Sequence, residues 1–307
     1  MDSTHTPVLV EEVVKSLVRD PAGIYVDATY GRGGHARALL GVLDPTARLW
    51  VCDRDPEAAT HARHEFAGDS RVRVYEGRFS NLGHWLEAEG VMGQIQGILF
   101  DLGVSSPQLE DPRRGFSFQA DGPLDMRMSP GEGKSAAEWL ARVSRPELER
   151  VIREFGEERY ARRIAEAILA QRGARTGAWT TRSLAGIIAR TVPRHERDKH
   201  PATRTFQAIR IAVNDELMEL ESVLPQAARA LRVGGRLLVV SFHSLEDRIV
   251  KHFLRDHREP RRPVRDAVPT EALRLRPMGR PLRPMPLECR RNARARSAIL
   301  RVAERVS

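Results

Sequence analysis

A glycine-rich turn and an acidic residue have the spacing of a nucleotide-binding site. The turn, Gly31-Arg-Gly33-Gly34-His35-Ala36, follows an apolar run and matches the pattern G-x-G-x-x-G/A. Glycines at these places let the backbone approach a ligand at the N-terminus of a helix. Asp53 ends the next apolar run, about 20 residues further on, where a carboxylate can accept hydrogen bonds from both hydroxyls of a ribose. A nicotinamide dinucleotide and an adenosyl cofactor both fit this pattern.

Asp27 separates these two ligands. It ends the first apolar run, four residues before Gly31, where a carboxylate would repel a pyrophosphate. S-adenosylmethionine has no phosphate and carries a sulfonium and an ammonium group, which an acid favours. The spacing resembles the first motif of class I methyltransferases, so Asp27 and Gly31 are candidate cofactor-binding residues. The structural alternatives are a tight turn with capping acids and no ligand, and a His35 that only packs at the start of a helix.

Asp101 ends a fourth apolar run, at the position that faces the methyl donor in class I methyltransferases. Methylation of carbon 5 of a pyrimidine needs a cysteine nucleophile. Neither cysteine is well placed for this, since Cys52 lies inside the second apolar run and Cys289 in a basic segment. Methylation of an exocyclic amine needs acceptors that orient the nitrogen, which Asp101 can supply. Phe116 and Phe118 are either rings that stack on the target base or core residues.

Composition restricts the class of protein. The 307 residues allow one large domain or two, and 41% of them are apolar, enough for a sizeable core. No apolar run approaches the roughly 20 residues of a membrane span, and the first residues lack a signal-peptide pattern. Two cysteines are too few for a disulfide framework, which favours a reducing compartment, the cytoplasm. The histidines lack metal-ligand spacing, so we predict no metal site.

Positive charge is concentrated in one segment. The chain has a net charge of +9. Residues 255–296 hold thirteen arginines and five acids, a net charge of +8, with seven of the 19 prolines. This composition predicts an irregular basic arm and a polyanionic partner, most often a nucleic acid. A general arginine bias of the genome is the alternative explanation.

Apolar runs alternate with helical patterns over the first hundred residues, which predicts parallel β-α-β units. No strand pattern occurs between about 105 and 205, where helices are predicted over 136–172 and 180–192. A long amphipathic segment, 206–231, is interrupted by Pro225. Strand patterns return at 236–242 and 298–302.

We therefore predict an α/β fold, a Rossmann-like sheet of the class I methyltransferase type with an inserted all-helical domain. Residues 1–105 and 206–307 would form the methyltransferase domain, the latter including the basic arm, and 106–205 the insertion, which would recognise the substrate.

Nine motifs stand in the order in which a known family has them. They are His5-Thr-Pro-Val-Leu9, Gly31-Arg-Gly-Gly-His35, Asp53-Arg-Asp-Pro56, Asp101-Leu-Gly-Val-Ser-Ser-Pro-Gln-Leu109, Arg114-Gly-Phe-Ser-Phe118, Gly122-Pro-Leu-Asp-Met-Arg-Met128, His200-Pro-Ala-Thr-Arg-Thr-Phe-Gln-Ala-Ile-Arg210, Ser241-Phe-His-Ser-Leu-Glu-Asp-Arg248 and Arg294-Ala-Arg-Ser297. From about His5 to Arg305 the chain closely resembles the RsmH (MraW) family of bacterial 16S ribosomal RNA cytosine-N4-methyltransferases.

The resemblance implies S-adenosylmethionine as the donor and one cytosine of the decoding centre of 16S rRNA, in the P-site region of the small subunit, as the target. The cofactor-binding positions that it implies are Gly33, Gly34, His35, Asp53, Phe79, Asp101 and Gln108. Phe79 would flank the adenine or be a core residue, and Gln108 would contact the methionine end of the donor or be solvated. The resemblance puts Asp101 at the cofactor, and a catalytic role remains open beside it.

His243 and Ser244 follow the fifth strand pattern and are further candidates for contact with the target base. Helix capping by Ser244, with Asp247 at the third helical position, is the structural alternative. Arg204 and Arg210 would contact phosphate or lie on a charged face of the insertion. The sequence leaves a homodimer open.

Two other functions remain as alternatives. A non-catalytic RNA-binding factor of ribosome assembly would not need the glycine turn and the strand-end acids together. A nicotinamide-dependent oxidoreductase conflicts with Asp27 and with the lack of a recognisable hydride-acceptor domain.

Overall fold

The computed structural model describes residues 7–174, 177–193, 200–259 and 273–307. The chain forms two compact units. The first joins Met1–Gly103 to Leu217–Ser307, and the second is Val104–Glu216. The boundary predicted at residue 205 was wrong by one helix, because Phe206 and Ile209 pack in the core of the second unit.

A sheet of seven strands, counted over the described ranges, forms the centre of the first unit. Its strands are β1 (Ile24–Asp27), β2 (Arg48–Asp53), β3 (Val72–Glu76), β4 (Ile95–Asp101), β5 (Leu231–Ser241), β6 (Leu275–Pro277) and β7 (Ile299–Arg305). They lie in the order β3-β2-β1-β4-β5-β7-β6. Neighbours from β3 to β5 are parallel, and β7 runs antiparallel to β5 and β6. The order 3-2-1-4-5 confirms the predicted Rossmann-like sheet.

Helices cover the sheet of the first unit. They are α1 (Val10–Leu17), α2 (Gly34–Leu40), α3 (Pro56–Glu65), α4 (Leu82–Ala88), α11 (Glu216–Ala230), α12 (Ser244–Asp256) and α13 (Pro286–Arg291). Successive side chains of a strand point to opposite faces. Val26 and Trp50 therefore face one apolar cluster, while Tyr25 and Leu49 face the other. Burial on both faces explains why the strands are continuous apolar runs.

The second unit is helical and has no strand among its described residues. Its helices are α5 (Ser106–Glu110), α6 (Ala136–Arg142), α7 (Arg145–Glu154), α8 (Ala161–Ala174), α9 (Thr181–Thr191) and α10 (Thr203–Asn214). The helical pattern over 136–172 divides into three helices. Ser144 caps α7, whose first turn contains Pro146, and Glu157, with a φ of 47°, lies between α7 and α8. A serine cap followed by proline is a helix-start signal.

Two further predictions need correction. The interruption expected at Pro225 lies at Asp215 instead, whose φ of 54° ends α10, and α11 continues through Pro225. The arm over 255–296, of which 260–272 lies outside the described residues, is not irregular throughout. It contains β6 and α13, because the fully buried Leu275 anchors the chain beside β7.

In the part of the chain that the structure describes, none of the helices has both the length and the apolar character needed to cross a membrane.

Candidate active site

The three acids predicted from strand ends come together at the carboxyl edge of the sheet. Asp27 ends β1, Asp53 ends β2 and Asp101 ends β4, and β1 lies between β2 and β4. Asp27 and Leu99 are paired, so Asp101 extends two residues beyond Asp27. The chain order reverses between β1 and β4, and ligands of open α/β sheets bind at such a switch point.

The glycine turn between β1 and α2 has a conformation that glycine favours. Gly31 has a φ of 57° and Gly33 a φ of 71°, a left-handed region that costs other residues free energy. A Cβ on Gly33 would lie 2.7 Å from the ring of Tyr30, and a Cβ on Gly34 would lie 2.6 Å from Pro7. Tyr30 and Pro7 therefore pack tightly against the turn, which holds its backbone in one position.

Tyr30 is a supporting residue that the sequence analysis missed. Its ring is buried beneath Gly33, its hydroxyl donates to Glu65 of α3 (2.6 Å), and it lies 2.8 Å from Nδ1 of His61. Tyr30 thus ties the glycine turn to the helix that follows β2. A tyrosine just before a glycine turn was the available signal, but its partners lie more than thirty residues away in sequence.

Asp27 is the most deeply buried of the three acids. Its side chain is fully buried, Oδ1 accepts a hydrogen bond from the backbone of Thr29 (3.2 Å), and Oδ2 has no partner. Burial raises its pKa to about 6, although the nearby His35 and the bond from Thr29 lower it. A buried carboxylate oxygen without a donor is costly, so the position favours a ligand that brings positive charge or a donor.

His35 lies in the first turn of α2, almost fully buried, with its Nε2 3.4 Å from Oδ2 of Asp101. Burial lowers the pKa of His35, but the carboxylates of Asp101 and Asp27 more than compensate, so the net shift is upward. Asp101 also has a buried Oδ1 without a partner. Its backbone N–H donates to Oγ1 of Thr29 (2.6 Å), which links the ends of β1 and β4.

Asp53 holds the glycine turn in place. Its Oδ2 accepts from the backbone of Gly31 (2.8 Å) and its Oδ1 from the backbone of Asp55 (2.9 Å). Burial raises its pKa to about 6, and these two bonds oppose the rise. Each carboxylate oxygen has a second acceptor site, so Asp53 can still accept from ribose hydroxyls.

Phe79 and Gln108 have local roles. Phe79 follows β3 in a single 3₁₀ turn and packs edge-on against Phe100, with 5.7 Å between ring centroids. Its ring is only half-buried, so one side stays available. Gln108, in the second unit, is buried, and its Oε1 accepts from the backbone of Ser105 (2.9 Å) in a capping box of α5. It is not merely solvated.

The helix after β5 is not capped in the way that the structural alternative, with Ser244 and Asp247, expected. His243, not Ser244, is the N-cap of α12, and Glu246, not Asp247, is at the third helical position. The Glu246 carboxylate accepts from the backbone of Phe242 (2.8 Å) and His243 (3.2 Å). Asp247 instead accepts from the guanidinium of Arg301 (2.7 Å). Capping holds the His243 ring close to the end of β5, and Ser244 is the first residue of the helix.

Three buried oxygens in this part of the first unit lack a hydrogen-bond partner among the described residues. They are Oδ2 of Asp27, Oδ1 of Asp101 and Oγ of Ser241, the last residue of β5. S-adenosylmethionine fits this edge, since it has ribose hydroxyls, an ammonium and a sulfonium group. A pyrophosphate would instead meet the carboxylates of Asp27, Asp53 and Asp101, which already lie close enough to repel one another.

A Rossmann-like sheet with an antiparallel seventh strand and an acid-lined glycine turn defines a methyltransferase fold. The chain belongs to the MraW methylase family, whose model matches residues 2–306. It is a methyltransferase that uses S-adenosylmethionine as methyl donor.

Relatives match over almost their full length. A protein of Halorhodospira halophila named Ribosomal RNA small subunit methyltransferase H is 52% identical over 99% of this chain and 95% of its own. A protein of the same name from Thiobacillus denitrificans is 52% identical over 100% of this chain and 99% of its own. A solved rRNA methylase from Streptococcus thermophilus is 11% identical and covers 97% of this chain and 94% of its own, with a TM-score of 0.42.

Proposed function

We propose that this protein methylates the exocyclic N4 amine of one cytosine in the decoding centre of 16S rRNA, in the small ribosomal subunit. The observation that carries the chemistry is the group of buried carboxylates at the ends of β1 and β4, with unpartnered oxygens. The names of the two relatives support small-subunit rRNA as the substrate.

In this proposal the donor is held by the residues of the carboxyl edge. Asp53 would accept from the ribose hydroxyls, and Phe79 would cover one face of the adenine. Asp27 and Asp101 would lie near the positive charges of the donor, and the backbone of Gly31 to His35 would lie against its methionine portion. Bound S-adenosylmethionine supplies an electrophilic methyl group. Gln108 stays a candidate for the methionine end.

Two features favour an amine over carbon 5 as the target. Cys52 is fully buried inside β2, its Sγ lies 3.4 Å from the carbonyl of Gly77, and burial raises its pKa. Cys289 lies in α13 and packs against the core. Neither thiol is placed as the nucleophile that methylation of carbon 5 requires.

Orientation of the amine is the catalytic task that remains for the protein. Asp101 would accept an N–H of the cytosine amine and direct the nitrogen lone pair at the methyl group. His243 and Ser244, beside the end of β5, would contact the base. Of the stacking candidates, Phe116 is buried in the core, whereas Phe118 is half-buried and packs against Phe206 and His200.

The proposal is tested by nucleoside mass spectrometry of 16S rRNA digested from a strain without the protein. N4-methylation at one decoding-centre cytosine should be lost, and should return with the wild-type chain but not with Asp101→Asn. The loss of a C5-methyl mark instead, or an unchanged N4 mark, would overturn the assignment.

A further inference from the structure

The chain beyond β6 continues along the outer edge of β7. The backbone of Met278 donates to the carbonyl of Val302 (2.9 Å). Leu282 and Leu300 then exchange two backbone hydrogen bonds of 2.9 Å. Residues 278–282 therefore form an edge of the sheet, and α13 follows within four residues.

This edge lies in register with the candidate active site, at the same height along the strands of the sheet. Leu300 pairs with Val240 of β5, and Val240 pairs with Asp101 of β4. Leu282, Leu300, Val240 and Asp101 thus form one row across the sheet. Neighbouring strands are about 4.8 Å apart, so the backbone of Leu282 lies about 14 Å from that of Asp101.

Apolar side chains are exposed along this edge. Leu282, Met285 and Leu287 are 39%, 65% and 51% exposed. The segment is nevertheless held firmly, because the Glu288 carboxylate accepts a hydrogen bond from the backbone of Leu9 (2.8 Å) and Cys289 packs against the core. A fixed segment that exposes apolar side chains is typical of an interaction surface.

Four arginines are interleaved with these apolar residues. Arg280, Arg283, Arg290 and Arg291 are exposed, and none forms an ion pair with an acid among the described residues. Glu288 is the one acid between 280 and 291, and it is bound by the backbone of Leu9. The four guanidinium groups and the Glu288 carboxylate give residues 280–291 a net charge of +3.

We propose that residues 280–291 form a docking edge for the RNA strand that flanks the target nucleotide. The inference rests on the proposed function, because a nucleotide at Asp101 leaves its neighbours within reach of a surface about 14 Å away. Arginine guanidinium groups match the geometry of phosphates. Leu282, Met285 and Leu287 would cover the sugars and the faces of unstacked bases, which single-stranded RNA exposes.

The test compares matched pairs of variants at opposite ends of the sheet. Arg280→Ser with Arg283→Ser removes two charges from the docking edge. Arg48→Ser with Arg232→Ser removes two exposed charges at the starts of β2 and β5. Met285→Ser is matched by Val233→Ser, which is 62% exposed near the start of β5. Melting temperatures and calorimetric binding of S-adenosylmethionine should stay unchanged in all of them.

Binding is measured across a salt series, to small subunits from a strain lacking the protein and to RNA stripped from them. The docking-edge pair should bind both probes at least tenfold more weakly. Its slope of log affinity against log salt should fall by about 0.7 for each lost phosphate contact. Met285→Ser should bind several-fold more weakly with no change of slope, and both controls should match the wild type.

Equal slopes for the docking-edge pair and its control would overturn the proposal. A loss confined to intact subunits and absent with stripped RNA would also overturn it, because docking of a single RNA strand on this edge should not depend on the folded particle. Binding is read without turnover, so these outcomes are independent of the methylated product. A wild-type enzyme that transfers no methyl group to the subunits would refute the proposed function alone.

Discussion

At the level of single residues, Asp27 is predicted to lower the stability of the free protein. Its folded pKa of about 6 lies above its ordinary value of 3.8, so the ionised form costs free energy above pH 6 and the cost disappears below about pH 4. A difference of about two between the folded and the ordinary pKa corresponds to about 3 kcal/mol. Asp27→Asn should therefore raise the free energy of unfolding by up to about 3 kcal/mol at pH 7.5, and by roughly half as much at pH 5.

The same substitution should weaken donor binding, so stability and affinity should change in opposite directions. Denaturant unfolding at the two pH values and calorimetry with S-adenosylmethionine measure both. Asp44→Asn, on the exposed surface, is the matched control and should change neither. An Asp27→Asn protein no more stable than wild type at pH 7.5 would show that the buried charge is compensated.

Asp53→Ala should weaken binding of the donor ten- to hundredfold. The variant removes acceptors for the ribose hydroxyls, and a charge-assisted hydrogen bond contributes about 1.5–3 kcal/mol. It also releases the backbone of Gly31, so the loss should lie at the upper end of the range. Calorimetry gives the dissociation constant, and an unchanged value would refute the ribose assignment.

Asp101→Asn should lower turnover more than donor affinity if the carboxylate orients the amine. Single-turnover methylation and donor calorimetry separate the two effects. The pKa of His35 should fall in the variant, because the Asp101 carboxylate raises it, and NMR titration of the ring tests this. A parallel loss of turnover and affinity would make Asp101 a cofactor ligand only.

The sequence could place the acids but not their surroundings. Asp27, Asp53 and Asp101 were predictable because each ends a buried strand, and strand ends meet at one edge. The roles of Tyr30 and His243 depend on partners in three dimensions: Tyr30 contacts α3, and His243 caps α12 one residue earlier than expected. The sequence left the capping position uncertain by one residue, because the side chains of serine and histidine can both accept a hydrogen bond from a backbone N–H.

At the level of elements, the glycine turn should not tolerate a side chain at Gly33. Gly33→Ala combines a left-handed backbone with a Cβ only 2.7 Å from the Tyr30 ring, so it should lower both the melting temperature and donor affinity. Gly90→Ala has the same type of φ, 68°, with nothing within 4 Å of the new Cβ. It isolates the backbone cost, about 1–2 kcal/mol.

Gly90→Ala should leave donor affinity unchanged. If both alanine variants lose the same stability and neither loses affinity, the packing of Tyr30 beneath Gly33 does not support the donor site.

Strands were predicted better than helix breaks. β2 ends at Asp53, where the second apolar run was predicted to end, and the run is continuous because its apolar residues are buried on both faces. β6 was missed, since a strand of three residues that ends in Pro277 gives no periodic pattern, and pairing with β7 determines it. α11 continues through Pro225, whereas α10 ends at Asp215. Asp215 gives no sequence signal for a helix end as strong as a proline would be.

At the level of the whole molecule, we expect the enzyme to prefer a folded small-subunit particle over stripped RNA. Under the proposed function, a base must leave its stack before its amine reaches the donor, which costs a few kcal/mol. We recognise in the sequence no module that reads single-stranded RNA, such as an RNP aromatic pair or a KH domain. Selectivity must therefore come from contacts with the shape and phosphates of a preformed RNA surface, which the helical unit and the basic arm are suited to make.

Initial methylation rates with particles and with RNA stripped from them, at equal concentration and salt, measure this preference. The particle should react at least tenfold faster than stripped RNA. The difference should persist when salt is raised, because salt weakens contacts between charges more than it weakens packing against the shape of the folded RNA. DNA of the same sequence should not react at a comparable rate. Equal rates on particle and stripped RNA would show that local sequence and phosphate contacts are enough for selection, and the helical unit would then need a different role.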